Sequence, residues 1–187
     1  IVKQYVKSES LRNHMLCVEA GMRYYAIKLG ENEQRWAVTG LLHDFDWEIH
    51  PTMEQHPSAG VEMLRSMGVP EDMCYAILAH GSHTNNPRNT TLAKALMACD
   101  EITGLITAVA LVRPSKSLYD LSASSVKKKW KDKAFAAGAN RAEIEAAAAD
   151  FGVELWSHVD NMILAMRGIA PIIGLEGSLN PDGTPKA

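Results

Sequence analysis

The chain has 187 residues, of which 47% are hydrophobic and 22% charged, and this length can bury a hydrophobic core in one domain. Its formal net charge of −3 argues against nucleic acid as a partner. The three cysteines lack CxxC spacing, and we find neither a signal peptide nor a run approaching the roughly 18 apolar residues of a membrane span, so we expect a cytoplasmic protein with no membrane partner.

Apolar residues recur with a helical period along most of the chain. The clearest stripe can be ended by Gly30 and consists of Leu11, Met15, Val18, Met22, Tyr25 and Leu29. Pro57 and Pro70 are placed to start two further helices. The predicted helices, in chain order, cover about residues 11–29, 31–44, 57–68, 70–80, 91–112, 124–137, 141–150 and 153–169. Because no segment alternates with period two, the sequence predicts an all-α fold.

The distribution of these helices predicts a single-domain helical bundle over residues 1–173, with its motif-bearing core at about 11–112. Residues 81–89 (GSHTNNPRN) are polar and rich in turn formers, so we expect a loop there. Residues 174–187 are rich in Gly and Pro and poor in apolar side chains, which predicts a flexible C-terminal tail.

Several histidines and aspartates lie on or beside the predicted apolar faces, where a buried polar group needs a partner. His14 follows Leu11 by three residues and precedes Val18 by four, so we expect it to point inward. Comparable positions are held by His43, Asp44, His56, His80 and Asp100. Each residue alone has an ordinary explanation, such as a hydrogen-bonded core histidine or a paired aspartate. Together they favour a divalent cation, which would satisfy carboxylates and neutral imidazoles at once.

The order of these residues along the chain resembles a known family. His14, His43-Asp44 and Asp100 are similar to the H…HD…D signature of the HD superfamily, an all-helical family of metal-dependent phosphohydrolases. The resemblance runs from about residue 11 to residue 112. The HPSAG sequence at residues 56–60 is similar to an H-x-x-x-G element of many members, and His80 matches a further histidine of the binuclear branch. The stretch 111–137 also resembles a small bacterial and archaeal HD subfamily.

The resemblance implies a ligand set and a reaction. One divalent metal would be bound by His14, His43, Asp44 and Asp100, and a second by His56 and His80 with Asp44 bridging. Their identity among Fe, Mn, Mg, Ni, Co and Zn is left open. His43 and Asp44 would be the catalytic pair, and a metal-activated water would hydrolyse a nucleotide or another small phosphate ester.

Residues outside the ligand set are candidates for binding this small phosphorylated substrate. Arg113 and Lys116 follow the predicted 91–112 helix and could reach phosphate oxygens, while His83 lies in the polar loop after His80. Asp46 and Glu48 could orient ligands or hold waters, or could be inert solvated acids. We expect no catalytic role for His50 or His158.

Other functions stay open at this level. The set of four histidines and two aspartates would also serve a di-iron oxygenase of the HD type, and a non-catalytic nucleotide-binding module is a third hypothesis. The sequence GSHTNNP stands where members that cleave cyclic dinucleotides have a Gly-Tyr-Pro element, which argues against that activity. The sequence is compatible with a homodimer.

Overall fold

The computed structural model of the protein describes residues 1–186. Within that range nine α-helices follow one another, and the one extended pairing is an isolated bridge between Leu179 and Pro185. The fold is therefore all-α, as the helical period predicted. The helices are α1 Val2–Tyr5, α2 Glu9–Leu29, α3 Glu33–Leu42, α4 Ser58–Ser66, α5 Glu71–His80, α6 Thr91–Val112, α7 Ala123–Trp130, α8 Arg141–Phe151 and α9 Leu155–Arg167.

The chain forms two compact units, the first covering residues 1–97 and the second beginning at Ala98. Helix α6 crosses this boundary, so its N-terminal third belongs to the first unit. The predicted single domain over residues 1–173 stays a prediction.

In the first unit, the packing of α2 against α3 determines where two of the candidate ligands lie. Ser8 caps α2 by accepting a hydrogen bond from the backbone N–H of Leu11, and Gly30 ends the helix in the left-handed conformation at φ 72°. Helix α3 approaches α2 closely at Gly40, where a Cβ atom would lie 3.1 Å from the Cα of Glu19. A glycine at this crossing lets the two backbones come together.

In the second unit, α7 and α8 both pack against α9. Helix α7 ends at Trp130, seven residues before the end that the sequence predicts for it. The chain forms turns after Trp130, and the guanidinium of Arg141 donates hydrogen bonds to four backbone carbonyls there: those of Asp132, Phe135, Ala136 and Ala139. Two further elements were not predicted from the sequence: α1, and a short 3₁₀ turn at Ser82–Thr84 inside the predicted 81–89 loop.

Helix α6 has the bounds that the sequence predicts, but it is more apolar than expected for a chain predicted to have no membrane span. By length and composition alone it could cross a membrane. In the folded chain, 61% of its most apolar 18-residue window is buried. This burial is what a core helix shows.

The segment after residue 173, predicted to be a flexible tail, makes several contacts within the second unit. Leu175 is buried, and its carbonyl accepts a hydrogen bond from the backbone N–H of Leu118. The N–H of Ser178 donates to the carbonyl of Ser115, and Gly177 has φ 54° beside it. A Cβ atom at Gly177 would overlap that carbonyl, so glycine is required there. The mobility of this segment stays a prediction, and Ala187 lies outside the described residues.

Candidate metal centre

Four histidine side chains from four segments of the first unit converge on the carboxylate of Asp44. His14 projects from α2, His43 follows α3, His56 precedes α4 and His80 ends α5. The Oδ2 atom of Asp44 lies 3.3 Å from Nε2 of His43 and 3.5 Å from Nε2 of His14. The Oδ1 atom lies 3.3 Å from Nε2 of His56 and 3.4 Å from Nε2 of His80. Each oxygen of one carboxylate therefore faces its own pair of imidazoles.

Hydrogen bonds on the far side of the rings orient three of these imidazoles. Their Nδ1 atoms donate to fixed oxygens: His43 to the carbonyl of Gly40 at 2.8 Å, His80 to the carbonyl of Ile77 at 2.5 Å, and His56 to Oδ1 of Asp46 at 2.9 Å. A neutral imidazole that donates through Nδ1 presents the lone pair of Nε2 on the opposite side. In the neutral form of each ring, the Nε2 lone pair would therefore point toward Asp44, whose ionised carboxylate has only acceptor atoms to offer.

This donor set fits a divalent cation. Acceptors that face one another in a buried site are costly unless a proton or a metal lies between them. One ligand atom each from His43, Asp44 and His80 lie within 4.8 Å of one another. Imidazole nitrogen and carboxylate oxygen are ligands that zinc, iron, manganese and nickel accept. The first unit thus contains a group of residues that could hold metal.

The electrostatics of the site show what a cation would replace. Burial works to raise the pKa of the Asp44 carboxyl, but the imidazoles of His43, His14 and His56 outweigh burial and hold that pKa well below its usual range. For His56, burial acts in the other direction and lowers the pKa of the imidazole. The hydrogen bonds of His56 to Asp44 and Asp46 outweigh burial and raise that pKa to about 9. His56 would therefore keep a proton between the two carboxylates unless a cation took that proton's place on Nε2.

Asp46 supports His56 from behind. Its carboxylate is 1% exposed and accepts hydrogen bonds from Nδ1 of His56 and from the backbone N–H of Gly60, the latter at 3.1 Å. A Cβ atom on residue 60 would lie 2.3 Å from Cγ of Asp46, so only glycine leaves room for this carboxylate. The steric fit of Asp46 therefore explains why the HPSAG sequence has glycine at residue 60.

Glu48 has a different role from Asp46, although the same alternatives, orienting a ligand or being an inert solvated acid, were predicted for both. Its carboxylate accepts hydrogen bonds from the backbone N–H groups of Lys7 and Ser8 at 2.9 and 2.8 Å. It therefore satisfies backbone donors at the start of α2, where a negative charge is favourable, and it does not contact the imidazoles.

Of the three predicted substrate-binding residues, His83 lies in the first unit. Its side chain is exposed, and Nε2 donates to the backbone carbonyl of His56 at 2.7 Å. Arg113 and Lys116 belong to the second unit. The guanidinium of Arg113 pairs with Asp120 at 2.5 Å, so a phosphate would have to compete with that carboxylate. Lys116 is exposed, and the roles of all three residues in substrate binding stay predictions.

Three other residues singled out in the sequence are Asp100, His158 and His50. Asp100 lies on α6, in the second unit, and is half-buried; its place in the ligand set stays a prediction. His158 is fully buried and donates through Nε2 to the carbonyl of Ala98 at 2.8 Å, which is the arrangement of a core histidine. His50 is half-buried.

Trp47 was not among the candidate site residues predicted from the sequence. Its indole ring meets the ring of His56 edge to face, with the centroids 4.9 Å apart and the planes at 85°. The side chain is 40% exposed, which is unusual for so large an aromatic group beside a buried histidine. The available signal was its position three residues after Asp44, between two predicted ligands.

Comparisons with known proteins agree with the motif. Residues 11–105, just over half of the chain, match the family described as HD domain. The chain is 32% identical over 98 residues to Ribonuclease Y of two strains of Nitratidesulfovibrio vulgaris, and 30% identical over 98 residues to Ribonuclease Y of Oleidesulfovibrio alaskensis. These matches cover 52% of this chain but only 18% of each relative. No solved structure matches the chain.

Proposed function

Because the chain belongs to the HD domain family of metal-dependent phosphohydrolases, we propose that it hydrolyses a nucleotide or another small phosphate ester with a metal-activated water. The observation that carries this proposal is the convergence of four imidazoles on the single carboxylate of Asp44. Such a cluster has no evident structural purpose, because packed apolar side chains would stabilise the unit at lower cost.

We further propose that the centre binds two divalent ions bridged by Asp44. The division of the imidazoles into two pairs supports this. His14 and His43 face Oδ2, whereas His56 and His80 face Oδ1. A carboxylate that bridges two metals uses its two oxygens in this manner. We propose that Asp100 belongs to the set that contains His14 and His43, as the resemblance to the family signature implies.

Two divalent ions would supply the activation of a water molecule and stabilise charge on the attacking and leaving oxygens of an in-line displacement. The contribution of the chain is orientation. The Nδ1 hydrogen bonds of His43, His56 and His80 fix the planes of their rings before any ligand arrives. With both ions bound and two aspartates among the ligands, the site would carry a net charge of about +2 and attract a phosphate group.

The relatives support a second candidate substrate. Their printed name, Ribonuclease Y, indicates action on RNA, and a phosphodiester could be cleaved with the same ligand set. The net charge of −3 argues against a long polyanion, so we favour a small ester. We also propose a cytoplasmic protein, since its three cysteines are buried and far apart in the sequence, which suits reduced thiols.

The test combines elemental analysis with a substrate panel. Protein purified with added Mn²⁺ or Fe²⁺ is assayed against nucleoside monophosphates, sugar phosphates and a short oligoribonucleotide, with and without oxygen. We expect hydrolysis of a monoester that does not depend on oxygen. We also expect about two metals per chain, with the metal content falling by about one in the double variant His56→Ala/His80→Ala.

One metal per chain would contradict the bridged pair. Failure of the metal-replete protein to hydrolyse any ester would contradict the proposed activity, and an oxygen-dependent reaction would favour the oxygenase hypothesis.

A further inference from the structure

The segment that joins the HD pair to His56 exposes an unusual amount of apolar surface. Trp47 is 40% exposed, Ile49 39% and Met53 55%. Single exposed apolar residues are common on protein surfaces and need no explanation. Here three large ones lie within seven residues, in a segment bounded at each end by a candidate metal ligand. Clustered exposed apolar side chains of this kind are typical of binding surfaces.

The backbone on both sides of Trp47 is anchored. The carboxylate of Asp46 accepts hydrogen bonds from His56 and from the N–H of Gly60. The carboxylate of Glu48 accepts hydrogen bonds from the backbone N–H groups of Lys7 and Ser8. The N–H of Trp47 itself donates to the carbonyl of Asp44 at 3.1 Å. The backbone that carries the indole is therefore held by its neighbours, so a ligand that packs on the indole does not have to order that segment.

The contact with His56 joins the indole to the metal centre. The edge-to-face packing places the Trp47 ring 4.9 Å from the ring of His56, whose Nε2 lies 3.3 Å from Oδ1 of Asp44. A molecule whose phosphate was bound by cations held at Asp44 would have this exposed indole within reach of its remaining part. A nucleoside phosphate has the right composition for this, since its base is planar and lies one sugar away from the phosphate.

We propose that Trp47 is a specificity-determining residue that stacks against the nucleobase of the substrate, so that this centre selects nucleoside phosphates over sugar phosphates. The inference rests on the proposed phosphohydrolase function and names its substrate class. Stacking of a base on an aromatic side chain changes affinity by roughly 5- to 150-fold when the aromatic group is removed. The ratio of the dissociation constants of ligands without and with a base should therefore fall in that range.

The experiment compares two ligands that differ only in the base, adenosine 5′-monophosphate and ribose 5-phosphate. Their dissociation constants are measured by calorimetry on the metal-loaded protein, and their hydrolysis is measured separately. We expect the wild-type protein to bind the nucleotide at least roughly fivefold more tightly. Trp47→Ala should lose this preference, whereas Trp47→Phe, which keeps an aromatic face, should retain most of it. Metal content should be the same in all three proteins.

A matched control is Met67→Ala, since Met67 is 44% exposed and follows α4, away from the 47–53 segment in sequence. It should leave the preference intact. Equal binding of the two ligands by the wild-type protein, or an unchanged preference in Trp47→Ala, would overturn the proposal. So would a change of oligomeric state in Trp47→Ala, which would assign the surface to a second copy of the chain. Base-dependent binding without hydrolysis would refute only the proposed activity, and hydrolysis without base preference would refute only the role of Trp47.

Discussion

The Nδ1 atom of His56 donates a 2.9 Å hydrogen bond to the buried carboxylate of Asp46, while Nε2 of the same ring faces Asp44. His56 thus lies between two carboxylates that have different roles. Asp44 is a candidate metal ligand, whereas Asp46 positions the imidazole and occupies the space that Gly60 leaves open. This arrangement, in which a ligating histidine is oriented by a second carboxylate, is common in metal sites.

The first prediction concerns Asp46→Asn. An amide can accept from only one side, so either His56 or the N–H of Gly60 would face its NH₂ group. We expect the affinity for the second metal equivalent to fall about 10- to 100-fold, measured by Mn²⁺ titration. The control is Glu48→Gln, which disturbs a similar pair of backbone donors at the start of α2 and should leave metal affinity unchanged. Equal losses in the two variants would indicate a general effect on folding.

A second prediction follows from the steric requirement at residue 60. In Gly60→Ala the new methyl group would overlap the Asp46 carboxylate, so we expect the free energy of unfolding to fall by about 1–3 kcal/mol. Gly104→Ala is the matched control, because a Cβ atom there meets nothing within 4 Å and lies in the middle of α6. It should stabilise the protein by up to about 1 kcal/mol. Urea denaturation of both variants measures the difference, and similar values for the two would contradict this account.

The third prediction is that Asp44→Ala abolishes hydrolysis and lowers metal content to well below one equivalent per chain, because it removes the carboxylate on which all four imidazoles converge. Far-UV circular dichroism should show nearly unchanged helicity, since little core volume is lost. Asp72→Ala makes the same change at an exposed aspartate paired with Arg35 and should keep both metal and activity. An active, metal-replete Asp44→Ala protein would refute the assigned centre.

A fourth prediction concerns the pH dependence of stability. Burial lowers the pKa of His158 below its ordinary value, and the hydrogen bond to the carbonyl of Ala98 offsets this only in part. The unfolded chain therefore takes up a proton at a pH where the folded chain does not. Stability from this group is complete above about pH 6.5 and falls below it, by up to about 1.4 kcal/mol per pH unit.

His158→Gln should remove this loss, because the amide can still donate to Ala98 but does not titrate. Denaturation midpoints of the wild type and the variant, compared between pH 7.5 and pH 5, measure the effect. All other titrating groups are shared, so the difference in slope isolates His158. Parallel pH profiles for the two proteins would show that this histidine does not titrate differently on folding.

The helices could largely be predicted from the sequence, because their signals are local. The stripe from Leu11 to Leu29 and the left-handed Gly30 that ends it are both matters of a few neighbouring residues. The bounds of α6 were predicted to the residue for the same reason. Helix α7 ends earlier than predicted, and the turns after Trp130 are held by hydrogen bonds from the Arg141 guanidinium to their backbone carbonyls. Those contacts come from a residue outside the predicted helix and leave no periodic signal.

By itself, the sequence determined the all-α class and the order of candidate ligands that marks the HD family, since helical periodicity and motif spacing are properties of the chain alone. Only the tertiary structure decided how those ligands divide. The pairing of imidazoles about the two oxygens of Asp44, the support of His56 by Asp46 and the exposure of Trp47 beside it all depend on how separate helices pack. Residues distant in sequence meet when the apolar faces of their helices are buried against each other. The spacing of residues along the chain does not show which polar atoms then come within 3.5 Å of each other.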